Sequence, residues 1–142
     1  MSVFDLFKKQ IEKADKKPRL VFPEGRDFRV LEAAVRLNNE KLVEVTLLGN
    51  ENEIRQLAAD NNFRLDGIKL IDPNNYDGFD EMCEKFVEIR NGKNTLEDAK
   101  KMLKSVSYFG TMLVKMCQAD GMISGAAHST ADTVRPALQI VK

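Results

Sequence analysis

Four short apolar runs punctuate the chain, and stretches whose apolar residues recur every three or four positions fill the space between them. The runs are Arg19-Leu20-Val21-Phe22, Val43 to Leu48, Ile68-Lys69-Leu70-Ile71 and Met122-Ile123-Ser124. Each is closed by residues that favour a turn: Pro23-Glu24-Gly25, Gly49-Asn50, Asp72-Pro73-Asn74-Asn75 and Gly125. Strands this short and apolar, separated by helices, are expected to lie parallel in one sheet buried on both faces. The predicted fold is therefore α/β, a three-layer α/β/α domain with a mainly parallel sheet.

The helical stretches have their own start and stop signals. Ser2 is placed to cap a first helix through about Lys16, carrying Phe4, Phe7, Ile11 and Ala14 at helical spacing until Pro18 stops it. Asp27 is placed to cap a helix over Phe28 to Asn39, with Leu31, Ala34 and Val35 inward. Further stripes are Ile54, Leu57 and Ala58; then Phe79, Met82, Cys83, Phe86 and Val87, ended by Asn91-Gly92. Thr95 precedes Leu96, Ala99 and Leu103, and a last internal stripe runs through Phe109, Met112, Leu113, Met116 and Cys117. Ser129 and Thr130 open the final helix, which Pro136 is expected to kink or interrupt.

At 142 residues the chain is one domain's worth, residues 1–142. Lys plus Arg equals Asp plus Glu at 22 each, so the charge balance supplies no footprint for nucleic acid or an anionic membrane. No basic leader precedes an apolar run, and no stretch approaches the roughly 18 apolar residues of a membrane span. Cys83 and Cys117 both fall on apolar stripes, which predicts two buried, reduced thiols in a cytoplasmic protein with neither a disulfide nor a metal site. The final Ala137 to Lys142 is mid-pattern without a stop signal, which predicts a portion of a longer protein.

Ligands of an open parallel sheet gather beyond the carboxyl ends of its strands. Two such ends carry residues suited to an anion. Pro23-Glu24-Gly25-Arg26-Asp27-Phe28-Arg29 places two guanidiniums beside a helix start, with Glu24 positioned to orient an arginine by a bidentate pair. The same residues also make an ordinary turn, in which Asp27 caps and both arginines are solvated. Gly121 to Pro136 offers small residues, the hydroxyls of Ser129 and Thr130 at a helix N-terminus, and Arg135 about a turn beyond. It reads equally as a capping segment, Ser129 pairing with Asp132. No lysine follows the glycines, so it is not a P-loop. His128, the only histidine, makes no metal site, and His128, Ser129 and Asp132 lack the nucleophile elbow of a hydrolase triad. Lys100, Lys101 and Lys104 read as a solvated helix face, and Arg90 either as a cation favoured at a helix C-terminus or as a contact for a peripheral phosphate.

These residues carry a resemblance. Val21-Phe22-Pro23-Glu24-Gly25 with Arg26 and Arg29, and the long block from Ala119-Asp120-Gly121 through His128-Ser129-Thr130-Ala131-Asp132-Thr133-Val134-Arg135-Pro136 to Ile140, are very similar to signatures of the phosphate acetyltransferases. The resemblance extends over essentially the whole chain; phosphate butyryltransferases match the block less well. It implies one domain of a two-domain enzyme that moves acetyl reversibly between coenzyme A and phosphate, commonly as a homodimer, with coenzyme A a substrate and no tightly bound cofactor. It assigns Arg135 to the phosphate of acetyl phosphate, Ser129 and Thr130 beside it, Arg90 to the peripheral phosphates of coenzyme A, and Arg26 or Arg29 to the electrostatics of the cleft. The family's catalytic Asp, with a Ser-Arg pair ahead of it, belongs to a C-terminal part that nothing here matches. No catalytic residue is thus expected within 1–142, and little activity from these residues alone. A regulatory phosphotransacetylase-like module, as appended to some malic enzymes, and a plain structural α/β domain are the alternatives.

Overall fold

A computed structural model describes all 142 residues. The chain runs α1 (Val3–Glu12), β1 (Arg19–Phe22), α2 (Phe28–Asn39), β2 (Glu44–Leu48), α3 (Glu51–Asp60), β3 (Lys69–Ile71), α4 (Phe79–Ile89), α5 (Leu96–Met102), α6 (Val106–Lys115), β4 (Gly121–Met122) and α7 (Thr130–Ile140). Local chemistry accounts for most of the boundaries. Ser2 with Asp5 and Thr95 with Asp98 form reciprocal capping boxes on α1 and α5. Asp27 and Asn50 accept from backbone N–H groups of Arg29 and Glu53 to start α2 and α3.

All strand pairs are parallel, in the order β3-β2-β1-β4. The chain moves outward from β1 through β2 to β3, then returns to place β4 on the other side of β1. The carboxyl ends of β1 and β4 therefore flank the point where the winding direction reverses, the crevice in which open α/β sheets take ligands. Adjacent strand residues point to opposite faces and serve two separate cores. Phe22, Val45 and Leu47 pack with Leu31, Ala34 and Val35 of α2 and Ile54 and Ala58 of α3. Val21, Leu48 and Ile71 pack with Met82, Cys83 and Phe86 of α4, Phe109, Met112 and Leu113 of α6, and Ile140 of α7. Helices thus cover both faces, as the apolar runs predict.

β4 pairs with β1 at only two positions, Leu20 opposite Gly121 and Val21 opposite Met122. It is pinned from below by Asp120, whose carboxylate accepts from the Arg19 backbone N–H at 2.8 Å and from its guanidinium at 3.0 Å. Those bonds hold the Asp120 pKa at about 2. From the side, α6 approaches so closely that a Cβ on Gly110 would stand 2.8 Å from Met122 Sδ.

Four expectations are corrected. Cys117 is exposed, because α6 ends at Lys115 and Cys117 turns left-handed at φ 60°, letting the Gln118 N–H donate to the Leu113 carbonyl at 2.8 Å. Pro136 does not interrupt α7: it lies inside the helix and, like Ile140, is buried. α1 stops at Glu12, short of Lys16, and its apolar residues Val3, Phe4, Leu6 and Phe7 are exposed. β4 is two residues long and leaves out Ile123 and Ser124. No helix is long and apolar enough to cross a membrane.

Candidate functional site

The most heavily bonded side chain in the protein is Glu24, at the carboxyl end of β1. Its carboxylate reaches across the switch point to the segment after β4, about a hundred residues away in sequence. One oxygen accepts from the backbone N–H groups of Gly125 at 2.8 Å and Ala126 at 2.9 Å. The other accepts from the N–H of Ala127, from the N–H of His128 at 2.9 Å, and from His128 Nδ1 at 3.0 Å. Four consecutive amides converging on one anion make a backbone nest, and the occupant here is the protein's own glutamate. Only 2 % of the Glu24 side chain is exposed. Burial works against its ionisation, but the donors of Ala126, Ala127, Gly125 and His128 outweigh that and bring its pKa to about 2. An ionised carboxylate only accepts, so His128 Nδ1 carries the hydrogen and donates it.

The turn that delivers Glu24 is equally constrained. A Cβ on Gly25 would stand 2.7 Å from the Leu48 carbonyl, so only glycine lets the chain after β1 pass this close to β2. Glu24 was expected to orient an arginine; it holds the 125–128 segment and His128 instead. The arginine role passes to Asp27, which caps α2 and pairs with Arg29 at 2.9 Å. Arg29 in turn donates to the Ala126 carbonyl at 2.7 Å, gripping the same segment from its other side.

A cleft of about 690 Å³ opens over the carboxyl ends of β1, β2 and β3. His128, Arg26 and Lys104 line it, together with the exposed start of α6. Arg26 sits at its rim, 3.6 Å from Glu53 in an exposed pair. The other residues singled out from the sequence lie on α7 and beside it. Ser129 caps α7, accepting from the Asp132 N–H at 3.1 Å and donating to the Asp132 carboxylate at 2.8 Å. Thr130 is the first residue of that helix and is exposed. Arg135 is exposed in the second turn, and none of the α7 side-chain hydrogen bonds involves it. Arg90 caps α4 and donates to Asn94 at 2.9 Å.

Arg135 and Arg90 meet the field of one group that the sequence did not flag. Burial pushes the pKa of the Tyr108 hydroxyl up, while the positive charges of Arg135 and then Arg90 pull against it. Tyr108 donates to Gln139 of α7 at 2.8 Å, tying α6 to α7. A tyrosine next to a buried stripe gives no local sign of this role. Glu24 gave a faint one: an acidic residue directly following Val21-Phe22-Pro23 is surrounded by buried neighbours.

The fold as a whole is shared with known proteins. The sequence model described as phosphate acetyl/butaryl transferase matches residues 3–142. The chain belongs to this family. The phosphate acetyltransferase of Bacillus subtilis is 52 % identical over 139 residues, which is 97 % of this chain and 43 % of that protein. That of Staphylococcus epidermidis is 50 % identical over 127 residues, 89 % of this chain and 39 % of that protein. A crystal structure of a phosphotransacetylase from Streptococcus pyogenes superposes with a TM-score of 0.90 at 56 % identity, over 99 % of this chain and 43 % of that one. The EutD phosphotransacetylase from Staphylococcus aureus gives 0.90 at 46 % identity, over 97 % and 41 %. This phosphate acetyl/butaryl transferase chain therefore spans about two-fifths of the length of the relatives it matches.

Proposed function

We propose that these residues form the N-terminal α/β part of a phosphate acetyltransferase, which transfers acetyl between coenzyme A and phosphate. The observation that carries this is the match of a phosphate acetyl/butaryl transferase model to residues 3–142, joined to 52 % identity with a phosphate acetyltransferase. In the reaction the thiolate of coenzyme A attacks the carbonyl carbon of acetyl phosphate, the carbon–oxygen bond to phosphate breaks, and phosphate leaves. What this chain contributes is charge and position. The N–H groups that begin α7 favour an anion there, Ser129 and Thr130 border it, and Arg135 supplies a cation that no carboxylate neutralises. Arg90, whose charge also reaches Tyr108, is assigned by resemblance to the peripheral phosphates of coenzyme A. Arg26 and Arg29 shape the field of the cleft. The acceptor of the thiol proton lies, by resemblance, outside 1–142. The complete enzyme acts as a cytoplasmic homodimer on small-molecule substrates.

Titrating acetyl phosphate into the chain by calorimetry tests this reading. Arg135→Ala is expected to weaken binding about tenfold or more, the effect of removing a charge-assisted contact. Equal affinity of the two proteins would sink the assignment, and appreciable turnover by 1–142 alone would show that its catalytic group is here after all. Butyryl phosphate as competitor distinguishes the acyl preference.

A further inference from the structure

Between β4 and the middle of α7 the chain has few attachments to the rest of the protein. Every tertiary hydrogen bond made by residues 124–135 runs to Glu24 or to Arg29. Arg29 supplies one, to the Ala126 carbonyl at 2.7 Å. Glu24 accepts all the others, including the four consecutive backbone N–H groups of Gly125 to His128. The next residue, Ser129, is already the cap of α7. The clamped backbone therefore passes into the helix with no free residue between.

α7 thus has two anchors. The first is this clamp, which ends at His128. The second begins at Pro136, which is buried; Ile140 belongs to the core shared with α6, and Gln139 accepts from Tyr108 at 2.8 Å. In the interval between them Thr130, Ala131, Asp132, Val134 and Arg135 are exposed. Their side-chain hydrogen bonds are local, linking Ser129 with Asp132 and Thr133 with the Ser129 carbonyl. Ser129, Thr130 and Arg135, the residues assigned to phosphate, all fall in that interval. Nothing else bonds the start of the helix to the sheet.

We infer that Glu24 is the positioning residue of the phosphate contacts on α7, acting through the 125–128 backbone and touching no ligand itself. A contact of this kind holds its geometry only when a supporting group fixes it. A bare carboxylate near an anion would repel it, but here four amide dipoles face the charge and offset it. What Glu24 contributes is therefore place, not attraction. The inference rests on the proposed function for its ligand, while the clamp itself can be tested without one.

Glu24→Ala removes Cγ and the carboxylate, the heavy atoms of one acetate ion, and leaves the four donors behind. Acetate is expected to refill that space, raising the melting temperature of Glu24→Ala above that in equal chloride. Wild type and Glu24→Gln, in which a side chain still fills the nest, are expected to show no such rise. Absence of the effect in Glu24→Ala would overturn the inference whatever the protein's function. Inorganic phosphate is then titrated calorimetrically into the folded chains. Glu24→Ala is expected to bind about tenfold more weakly than wild type, and acetate to restore the affinity toward that of wild type in the same buffer. Leu31→Ala, which loses a fully buried side chain from the opposite core, is expected to bind as wild type does. An equal loss in Leu31→Ala would reduce Glu24 to a merely structural role and refute the inference. If wild type and Glu24→Ala bind phosphate equally, the inference fails and the proposed function stands. If wild type binds no phosphate, both fail.

Discussion

Replacing Glu24 by glutamine keeps the size and shape of the side chain and removes its charge, which makes the consequence calculable. The carboxylate accepts from four backbone N–H groups and one ring N–H. An amide has a single oxygen, so its NH₂ end must face either the Gly125 and Ala126 donors or the Ala127 and His128 donors. A buried donor left without an acceptor costs about 1–3 kcal/mol. The titration offers an independent measure: a pKa brought from 4.5 to about 2 corresponds to about 3 kcal/mol. Glu24→Gln is accordingly expected to be about 3 kcal/mol less stable at neutral pH, lowering the melting temperature by about 10 °C for a domain of this size. The sign in acid follows from the same shift. Because the folded pKa is the lower one, the stabilisation is complete above pH 4.5 and is lost as the pH falls from 4.5 toward about 2. Urea unfolding followed by circular dichroism at a series of pH values reads both effects. Wild type should lose stability through that window, and the variant should lose much less. Asp120, held at about 2 by Arg19, leaves a residual slope in both proteins. A variant whose neutral-pH midpoint matches wild type, or whose acid slope is unchanged, would refute the reasoning.

Two further outcomes follow from packing. Phe109 is fully buried and meets Tyr76 edge-on at 5.0 Å, whereas Phe4 is 76 % exposed; Phe109→Ala should cost about 3–5 kcal/mol in chemical denaturation and Phe4→Ala less than about 0.5. An aromatic disulfide reagent should label Cys117 rapidly in the folded chain and reach Cys83 only on unfolding, since Cys83 is buried and burial raises its thiol pKa. Equal labelling of the two would contradict the core packing of α4.

Much of the site was legible in the residues, and the limits of that legibility have a common origin. Asp27, Thr95 and Ser129 were recognisable as caps because a cap bonds to amides two or three residues away. Cys117 was misplaced because a helical stripe does not record where the backbone turns left-handed. The exposure of α1 was hidden for a related reason: an amphipathic pattern shows that a face is apolar, not what covers it. The partners of Glu24 lay beyond local reasoning, since they begin a hundred positions downstream.

The amino-acid sequence by itself determined the alternation of strands and helices, the helix starts, the apolar faces of the core and, through the Ala119–Ile140 block, the family. All but the family depend on spacing within a few turns of chain, and the family rests on the resemblance of that block to known signatures. The strand order β3-β2-β1-β4 and everything built on it were decided only in the tertiary structure. Placing β4 beside β1 sets Glu24 against the amides of 125–128, and packing α7 on α6 brings Gln139 to Tyr108. Which distant groups become neighbours depends on how the sheet is wound, and no periodicity along the chain encodes that.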